Sequence, residues 1–309
     1  MADHHSGFSN DISDRPWLSA PWTRETYPSI AQWIDANHSA LEQIIKSSHL
    51  AFFSIPKVTT APLWFSSIPQ LERIDELVHL FAARMMLAVG SGQLDSALDD
   101  LLALHRLAKL LVLSGERLTC SSGLAIYEIA LACAEEVLKY ADEDQIVRYQ
   151  VGLNAASLPD DVLVGILDHS VRIEALDLLQ RLAVDKELRG DLFGMSRFTR
   201  PDPNVAFNVC QAEFDRLVTS LQQTNAFTRS IRLDEYLESH RERSRKLGRC
   251  LWLPRRLLWT SRRKRSEALT HQALVAVWSA LPEIQVSLDR VSTKCNVVKA
   301  AVQNAMKQS

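Results

Sequence analysis

The amino-acid sequence predicts an all-α protein. Its 309 residues are 47% hydrophobic, and only 10 glycines and 11 prolines interrupt the chain. Apolar residues recur at spacings of three and four, as they do along one face of a helix. No stretch shows the sustained alternation of apolar and polar residues that is typical of a half-buried strand. We therefore expect an irregular helical bundle or stack of about ten helices.

Residues 1–25 are predicted to form an irregular N-terminal segment. Its first residues are polar and partly acidic, and they lack the basic-then-apolar order of a secretory signal. Trp17 and Trp22 flank prolines in this segment, and we expect them to hold it against the helical body.

A helical domain is predicted over residues 26–189. Pro28 suits an early helical position, so a first helix is expected to begin near residue 26. The S-x-x-E pattern from Ser39 to Glu42 predicts a capping box at the start of a second helix. A further helix is predicted by apolar residues at helical spacing: Leu71, Ile74, Val78, Phe81 and Met85.

More helices are predicted later in the same domain. Gly90-Ser-Gly92 breaks the preceding helix, and the next apolar stripe runs to about Leu113. The polar stretch from Asp142 to Gln145 predicts a helix cap. A long helix after Ser157 is predicted to turn these residues inward: Val162, Ile166, Ile173, Leu176 and Leu179.

Residues 190–203 are predicted to be a hinge loop that joins two packed halves, because glycine and proline interrupt this stretch. The C-terminal helical region then covers residues 204–309. Its helices are expected at about 204–222, 230–247, 263–279 and 283–306.

One segment resembles a tetratricopeptide hairpin: ARMMLAVGSGQLDSALDDLLALHRLAKLL, residues 83–111. Gly92 and Ala97 match the helix junction of that motif, where the helices approach closely, and Leu101 stands where a large residue packs between them. No copy follows at the period of about 34 residues that such arrays keep, since Ile126 stands where a glycine is needed. We therefore expect one tetratricopeptide-like hairpin within a bundle rather than an array.

The sequence also resembles a set of bacterial, mostly planctomycete, all-helical proteins. The likeness is carried by PWTRETYPSIAQWIDANHSALEQIIKSS, by the hairpin segment above and by NVAFNVCQAEFDRLV. It is spread over most of residues 21–300 and consists of helical packing patterns. The resemblance implies an all-helical fold, and it implies no activity and no catalytic residue.

The five cysteines are odd in number and lack C-x-x-C spacing, so they indicate neither a disulfide framework nor a zinc site. We expect a cytoplasmic protein, because scattered free cysteines are typical of a reducing compartment. No run is expected to reach the roughly 20 apolar residues that a membrane-spanning helix needs.

The sequence contains no standard catalytic, metal-binding or phosphate-binding motif, so we predict no catalytic residue, metal or cofactor. His105 and His169 adjoin apolar stripes and are expected to be half-buried packing residues, with a shared role as base or ligand as the alternative. Cys120, near a helix start, could be a reactive thiol, but a packing role is favoured. The acidic group Asp95, Asp99 and Asp100 is expected to be a solvated helix face rather than a cation site.

Positive charge is concentrated in residues 241–265, which hold eleven Lys and Arg residues and one acid, Glu242, in a chain of net charge −2. Leucines and tryptophans lie among these cations. The candidate surface-binding residues are Arg245, Lys246, Arg249, Trp252, Arg255, Arg256, Trp259, Arg262, Arg263, Lys264 and Arg265.

Three interpretations of this basic segment remain open. It could contact an anionic membrane surface, with Trp and Leu at the headgroup boundary. It could bind nucleic acid through phosphate contacts, although the sequence has no recognised DNA-binding motif. It could also be a solvated helix–linker–helix that packs on the core.

The sequence therefore predicts a helical scaffold or protein-interaction protein of the cytoplasm. Its partner would be a protein that the sequence does not identify, and it could also touch the inner membrane face through residues 241–265. The alternative is an enzyme with a His–carboxylate site between helices. A pocket that gathers His105 or His169 with carboxylates would favour the enzyme.

Overall fold

The computed structural model describes residues 15–53, 63, 69–193, 202–222, 226–251 and 261–308. Within these ranges the protein is helical and contains no strand, so the all-α prediction is confirmed. In the N-terminal part the helices are α1 (Pro16–Ser19), α2 (Pro28–Ala36), α3 (His38–Ser47), α4 (Pro69–Gly90), α5 (Leu94–Leu113), α6 (Arg117–Val137) and α7 (Glu143–Ala155).

A helix with an internal π turn follows α7. Its parts are α8 (Val162–Ile166), the π turn (Leu167–Val171) and α9 (Arg172–Val184). The remaining helices are α10 (Lys186–Phe193), α11 (Pro203–Gln222), α12 (Ala226–Leu251), α13 (Arg262–Trp278) and α14 (Leu281–Gln308). The last four agree closely with the ranges that apolar periodicity predicts.

The N-terminal segment lies against α4, as expected from its tryptophans. Trp22 is buried, its Nε1 donates to the Trp17 carbonyl at 3.0 Å, and its backbone N–H donates to the Met86 carbonyl at 3.3 Å. The described part also contains the one-turn helix α1, which the sequence interpretation did not foresee. Gly90 permits this contact, because a Cβ built there would lie 2.1 Å from the Trp22 carbonyl oxygen.

Helix α6 lies at the centre of the core and packs against α4, α5 and α14. Gly123 lets α5 approach, because a Cβ at that position would lie 2.8 Å from the Ala108 carbonyl oxygen. Among the described helices, α6 is long and apolar enough to cross a membrane by length and composition, although we expected no such segment. In the structure 67% of its most apolar window is buried inside the protein, as in a core helix.

Helices on both sides of the predicted hinge share one core. Helices α11 and α13 pack against α9, and α14 packs against α6 and α7. Buried apolar residues from both regions form one cluster. Helix α10 reaches into the predicted loop, whose residues 194–201 lie outside the described part.

The two predicted helix caps that fall on described residues differ in outcome. Asp142 accepts a hydrogen bond from the Gln145 backbone, and the Gln145 side chain accepts from the Asp142 backbone, so this capping box is confirmed. The box predicted at Ser39 is wrong. Helix α3 begins at His38, directly after Asn37, and Asn37 makes no side-chain cap.

The prediction that Ile173 points inward is wrong, because the π turn shifts the helix register. A π turn inserts one residue and rotates everything after it relative to an uninterrupted α-helix. Ile173 is 55% exposed, whereas Glu174 is only 4% exposed and pairs with Arg117. His169 lies in the π turn and is exposed, so the expectation that it is half-buried is also wrong.

Helices α4 and α5 form a hairpin over the segment that resembles a tetratricopeptide unit. Gly92 adopts φ of 73° in the turn, and Ala97 and Leu101 are fully buried. The hairpin itself is present, and its relation to tetratricopeptide units stays a prediction.

Substituting Gly90→Ala should destabilise the protein by roughly 1–3 kcal/mol, because the new methyl group overlaps the Trp22 backbone and forces α4 and the N-terminal segment apart. The measurement is urea unfolding followed by circular dichroism. Gly165→Ala is the control, since a Cβ there meets no atom within 4 Å. Equal stability of the two variants would contradict the close approach.

Candidate functional site

The described parts of the basic segment, residues 241–251 and 261–265, belong to an antiparallel hairpin made by α12 and α13. Two ring contacts fix the pairing: Tyr236 lies 5.6 Å from Trp278, and His240 lies 5.1 Å from His271. From His240 to the end of α12 are eleven residues, so α12 extends roughly 16 Å past this contact. Helix α13 begins nine residues before His271, so its first turn lies roughly as far along the hairpin.

We call this end, residues 241–246 and 261–265, the basic tip. The structure brings the predicted residues of both arms together here. Arg245 and Lys246 on α12 and Arg262, Arg263 and Lys264 on α13 are exposed, while Arg265 is partly buried. Of the other predicted residues, Arg249 lies in α12 with its side chain outside the described part, and Trp252, Arg255, Arg256 and Trp259 lie in 252–260, also outside it.

Several cations of the basic tip pair with nearby carboxylates. Arg241 and Arg245 both approach Glu238 at 3.5 Å. Lys246 pairs with Glu242 at 2.7 Å, and Arg263 pairs with Glu267 at 3.0 Å. The side chains of these pairs are largely exposed, Glu267 at 31% being the least so, and such pairs contribute only about 0–1 kcal/mol each.

The acids lie toward the base of the hairpin rather than at its end. No Asp or Glu occurs in the sequence between Glu242 and Glu267. Apart from Arg241, the cations of the basic tip thus lie beyond the last carboxylate of each arm. This arrangement concentrates positive charge in the parts of both arms that lie beyond those carboxylates.

A buried polar network joins the hairpin to α11. Glu213 of α11 accepts a hydrogen bond from the Tyr236 hydroxyl at 2.7 Å and lies 3.3 Å from His240 Nε2. The Nδ1 atoms of His240 and His271 are 3.2 Å apart. Arg216 pairs with the other Glu213 oxygen at 2.9 Å.

The contact between His240 and His271 requires that the two rings have complementary protonation at Nδ1. Only one of two facing Nδ1 atoms can carry the shared proton, so one ring donates and the other accepts. If His240 is neutral and donates Nε2–H to Glu213, its Nδ1 accepts from His271. The network therefore fixes the orientation of both rings and with it the register of α12 on α13.

The network perturbs the titration of its members. Burial acts to raise the pKa of Glu213, but hydrogen bonds from His240 and Tyr236, with nearby positive charge, outweigh it and lower that pKa to about 2. Burial, followed by the proximity of His240, lowers the pKa of His271 to about 4. Burial of the Tyr236 hydroxyl and its hydrogen bond to Glu213 raise the pKa of Tyr236.

This network is a His–carboxylate cluster between helices, but it differs from the one that the sequence suggested. Glu213, His240 and His271 are 5%, 1% and 8% exposed, which gives a substrate no direct access. Its geometry suits a structural role. The only local sequence signal is the four-residue spacing of Tyr236 and His240, which places them on one helical face.

The two histidines that the sequence singled out lie apart from this network. His105 is fully buried rather than half-buried, and its Nε2 lies 3.0 Å from the Tyr149 hydroxyl. Burial lowers the pKa of His105 to about 3, which makes it a neutral packing residue. Because His105 is fully buried, it offers a substrate no direct access.

Cys120 has the packing role that the sequence favours, whereas one member of the acidic group Asp95, Asp99 and Asp100 departs from the expected solvated face. Cys120 is fully buried and burial raises its pKa to about 12, which excludes the accessible thiolate of a reactive cysteine. Asp95 and Asp99 are exposed and pair with Arg148. Asp100 does not belong to a solvated face, because it is buried and bound by the Arg84 guanidinium.

Within the described residues, no group of three or more His, Cys, Asp or Glu side chains is arranged to hold a metal ion. Comparison of the chain with protein-family models, with curated proteins and with solved structures gives no match. The resemblance to planctomycete proteins therefore stays a prediction.

The free energy of unfolding should fall as the pH is lowered from about 6.5 to 4, partly because of His271. Its pKa is depressed to about 4 in the folded state, so the unfolded chain takes up the proton first. The stabilisation is complete above about pH 6.5 and is lost as the pH falls through 4, and it is on the order of 2 kcal/mol after discounting for partial solvation.

The lowered pKa of His105 also reduces the free energy of unfolding as the pH falls. Asp100 acts in the opposite direction, because burial raises its pKa to about 6. The free energy of unfolding in urea is measured for wild type and for His271→Gln at several pH values. The difference between the two proteins at each pH isolates the contribution of His271. His169→Gln is the matched control at an exposed site. Parallel pH curves for wild type and His271→Gln would show that the imidazole is not held neutral.

Proposed function

We propose that this protein is a helical interaction scaffold that docks on an anionic membrane surface through the basic tip of the α12–α13 hairpin. The observation that carries the proposal is the exposure of cations on both arms of one hairpin end, beyond the last carboxylate of either arm. Each basic residue held near an anionic lipid surface contributes about 1 kcal/mol. A few engaged cations therefore suffice for reversible docking.

Tryptophan and leucine in the connecting sequence favour lipid over nucleic acid. Residues 251–259 read LWLPRRLLW, in which two apolar groups flank a pair of arginines. Trp and Leu beside cations are typical of segments that lie at the headgroup boundary. Binding of nucleic acid depends mainly on phosphate contacts and does not need these leucines.

The docked protein would lie on the cytoplasmic side of the membrane, since anionic lipids are concentrated in that leaflet. Its remaining helical surface would be available to a protein partner. An enzymatic role is the weaker candidate, because the buried Glu213–His240–His271 cluster is closed to substrates.

In flotation, the protein should bind vesicles that contain phosphatidylserine and should not bind neutral phosphatidylcholine vesicles. The triple variant Arg262→Glu, Arg263→Glu and Lys264→Glu should weaken binding by about 100-fold or more, since it removes three attractions of about 1 kcal/mol each. Acids in the first turn of α13 also suit the positive end of its helix dipole, so folding should be kept.

The matched control reverses three exposed cations outside the hairpin, with the variant Arg15→Glu, Lys46→Glu and Arg73→Glu. It changes the net charge equally and should leave vesicle binding nearly unchanged. Raising the salt concentration should weaken wild-type binding by screening. Failure to bind either vesicle type would refute membrane docking, and a salt-sensitive shift of a single-stranded oligonucleotide without vesicle binding would assign the tip to nucleic acid.

A further inference from the structure

A groove distant from the basic tip runs along α14. Its cavity measures about 230 Å³ and lies between α14, the connection from α7 to α8 and the start of α8. Tyr127 of α6 and Arg229 of α12 complete its wall. Arg229 is in the first turn of α12, at the opposite end of that helix from the basic tip.

The α14 wall of this groove has a polar stripe along its length. Successive members are separated by three or four residues and so lie on one helical face. The stripe consists of Gln285, Asp289, Ser292, Asn296 and Lys299. Beside it, Leu288, Val291 and Cys295 supply an apolar surface. Amide and hydroxyl groups at these intervals can bond the donors and acceptors of an extended peptide backbone.

The stripe carries opposite charges at two separated positions. Asp289 and Lys299 are ten residues apart, which corresponds to roughly 15 Å along the helix axis. Lys299 Nζ donates to Ser157 Oγ at 3.2 Å, and Gln285 Nε2 donates to Asp289 Oδ1 at 2.7 Å. These contacts orient both charged groups within the lining of the groove.

Arg229 is less suited to receive an anion. Its guanidinium already donates to the backbone carbonyls of Leu221, at 3.0 Å, and of Asp160. Lys299, whose ammonium keeps two further donors beside the Ser157 contact, is therefore the better anchor for a carboxylate.

We propose that this groove binds a free tripeptide with small side chains, with its ammonium group at Asp289 and its carboxylate at Lys299. An extended tripeptide spans roughly 10 Å, and with an ion pair of about 3 Å at each end its length is comparable with the roughly 15 Å that separates residues 289 and 299 along the helix axis. The cavity is smaller than the 300–1,000 Å³ typical of pockets for drug-sized ligands, which excludes bulky side chains. This proposal does not rest on membrane docking.

The test is isothermal titration of the full-length protein with trialanine and with three blocked forms. Trialanine should bind. Trialanine amide lacks the carboxylate, N-acetyl-trialanine lacks the ammonium, and each should bind about tenfold or more weakly, while the doubly blocked peptide should not bind at all. These comparisons use the unaltered protein, so they do not depend on the folding of a variant. Equal affinity for blocked and free peptides, or no binding of trialanine at millimolar concentration, would overturn the proposal.

Two variants then assign the ends of the peptide. Lys299→Met should abolish the preference for trialanine over its amide while keeping the preference over the acetylated form, and Asp289→Asn should do the reverse. Lys294→Met, a cation on α14 outside the groove lining, is the matched control and should keep both preferences. If both preferences persist in the Lys299 and Asp289 variants, the assigned orientation is wrong.

Discussion

The packing of α12 against α13 is the constraint on which the basic tip depends. Two helix ends rich in like charges repel one another, but their exposed cations are screened beyond about 8–10 Å in physiological salt. Against this repulsion the hairpin buries apolar side chains, including Leu233, Leu237, Leu274, Val277 and Trp278. Full burial of one such side chain contributes about 1.5–3 kcal/mol, so the apolar interface outweighs the electrostatic repulsion.

The hairpin is also fixed to the body of the protein. Helix α11 supplies Glu213 to its polar network and Phe214 to its aromatic cluster, where the Phe214 and Trp278 rings are 5.2 Å apart. Helix α13 packs in addition on α9. Because α9, α11 and α13 share one core, the hairpin that carries the basic tip is part of the bundle rather than a loosely attached arm.

Local patterns were enough to predict most of the long helices, although not the short α1, and they did not predict the environment of individual side chains. The ends of α11, α13 and α14 and the Asp142 cap depend on nearby residues, and the sequence shows these directly. The exposure of Ile173 and His169 depends on a π turn, which no periodicity rule anticipates. Asp100 is buried because Arg84 reaches it from another helix, and the partners of His240 come from residues 213 and 271. Such pairings become visible only after the chain is folded.

The position of Glu213 explains how the base of the hairpin is held to the rest of the protein. The pKa of Glu213 is lowered to about 2, so its carboxylate is charged at neutral pH. Arg216 lies 2.9 Å and Arg243 3.6 Å from it, which draws the nearest cation of the basic tip inward. Arg245, Lys246 and Arg263 pair with Glu238, Glu242 and Glu267, whose side chains are 58%, 62% and 31% exposed, and the sequence places no acid between residues 242 and 267. One buried carboxylate thus holds the inner part of the basic segment to the fold, whereas the described outer cations Arg245, Lys246 and Arg263 pair with carboxylates that are partly or largely exposed.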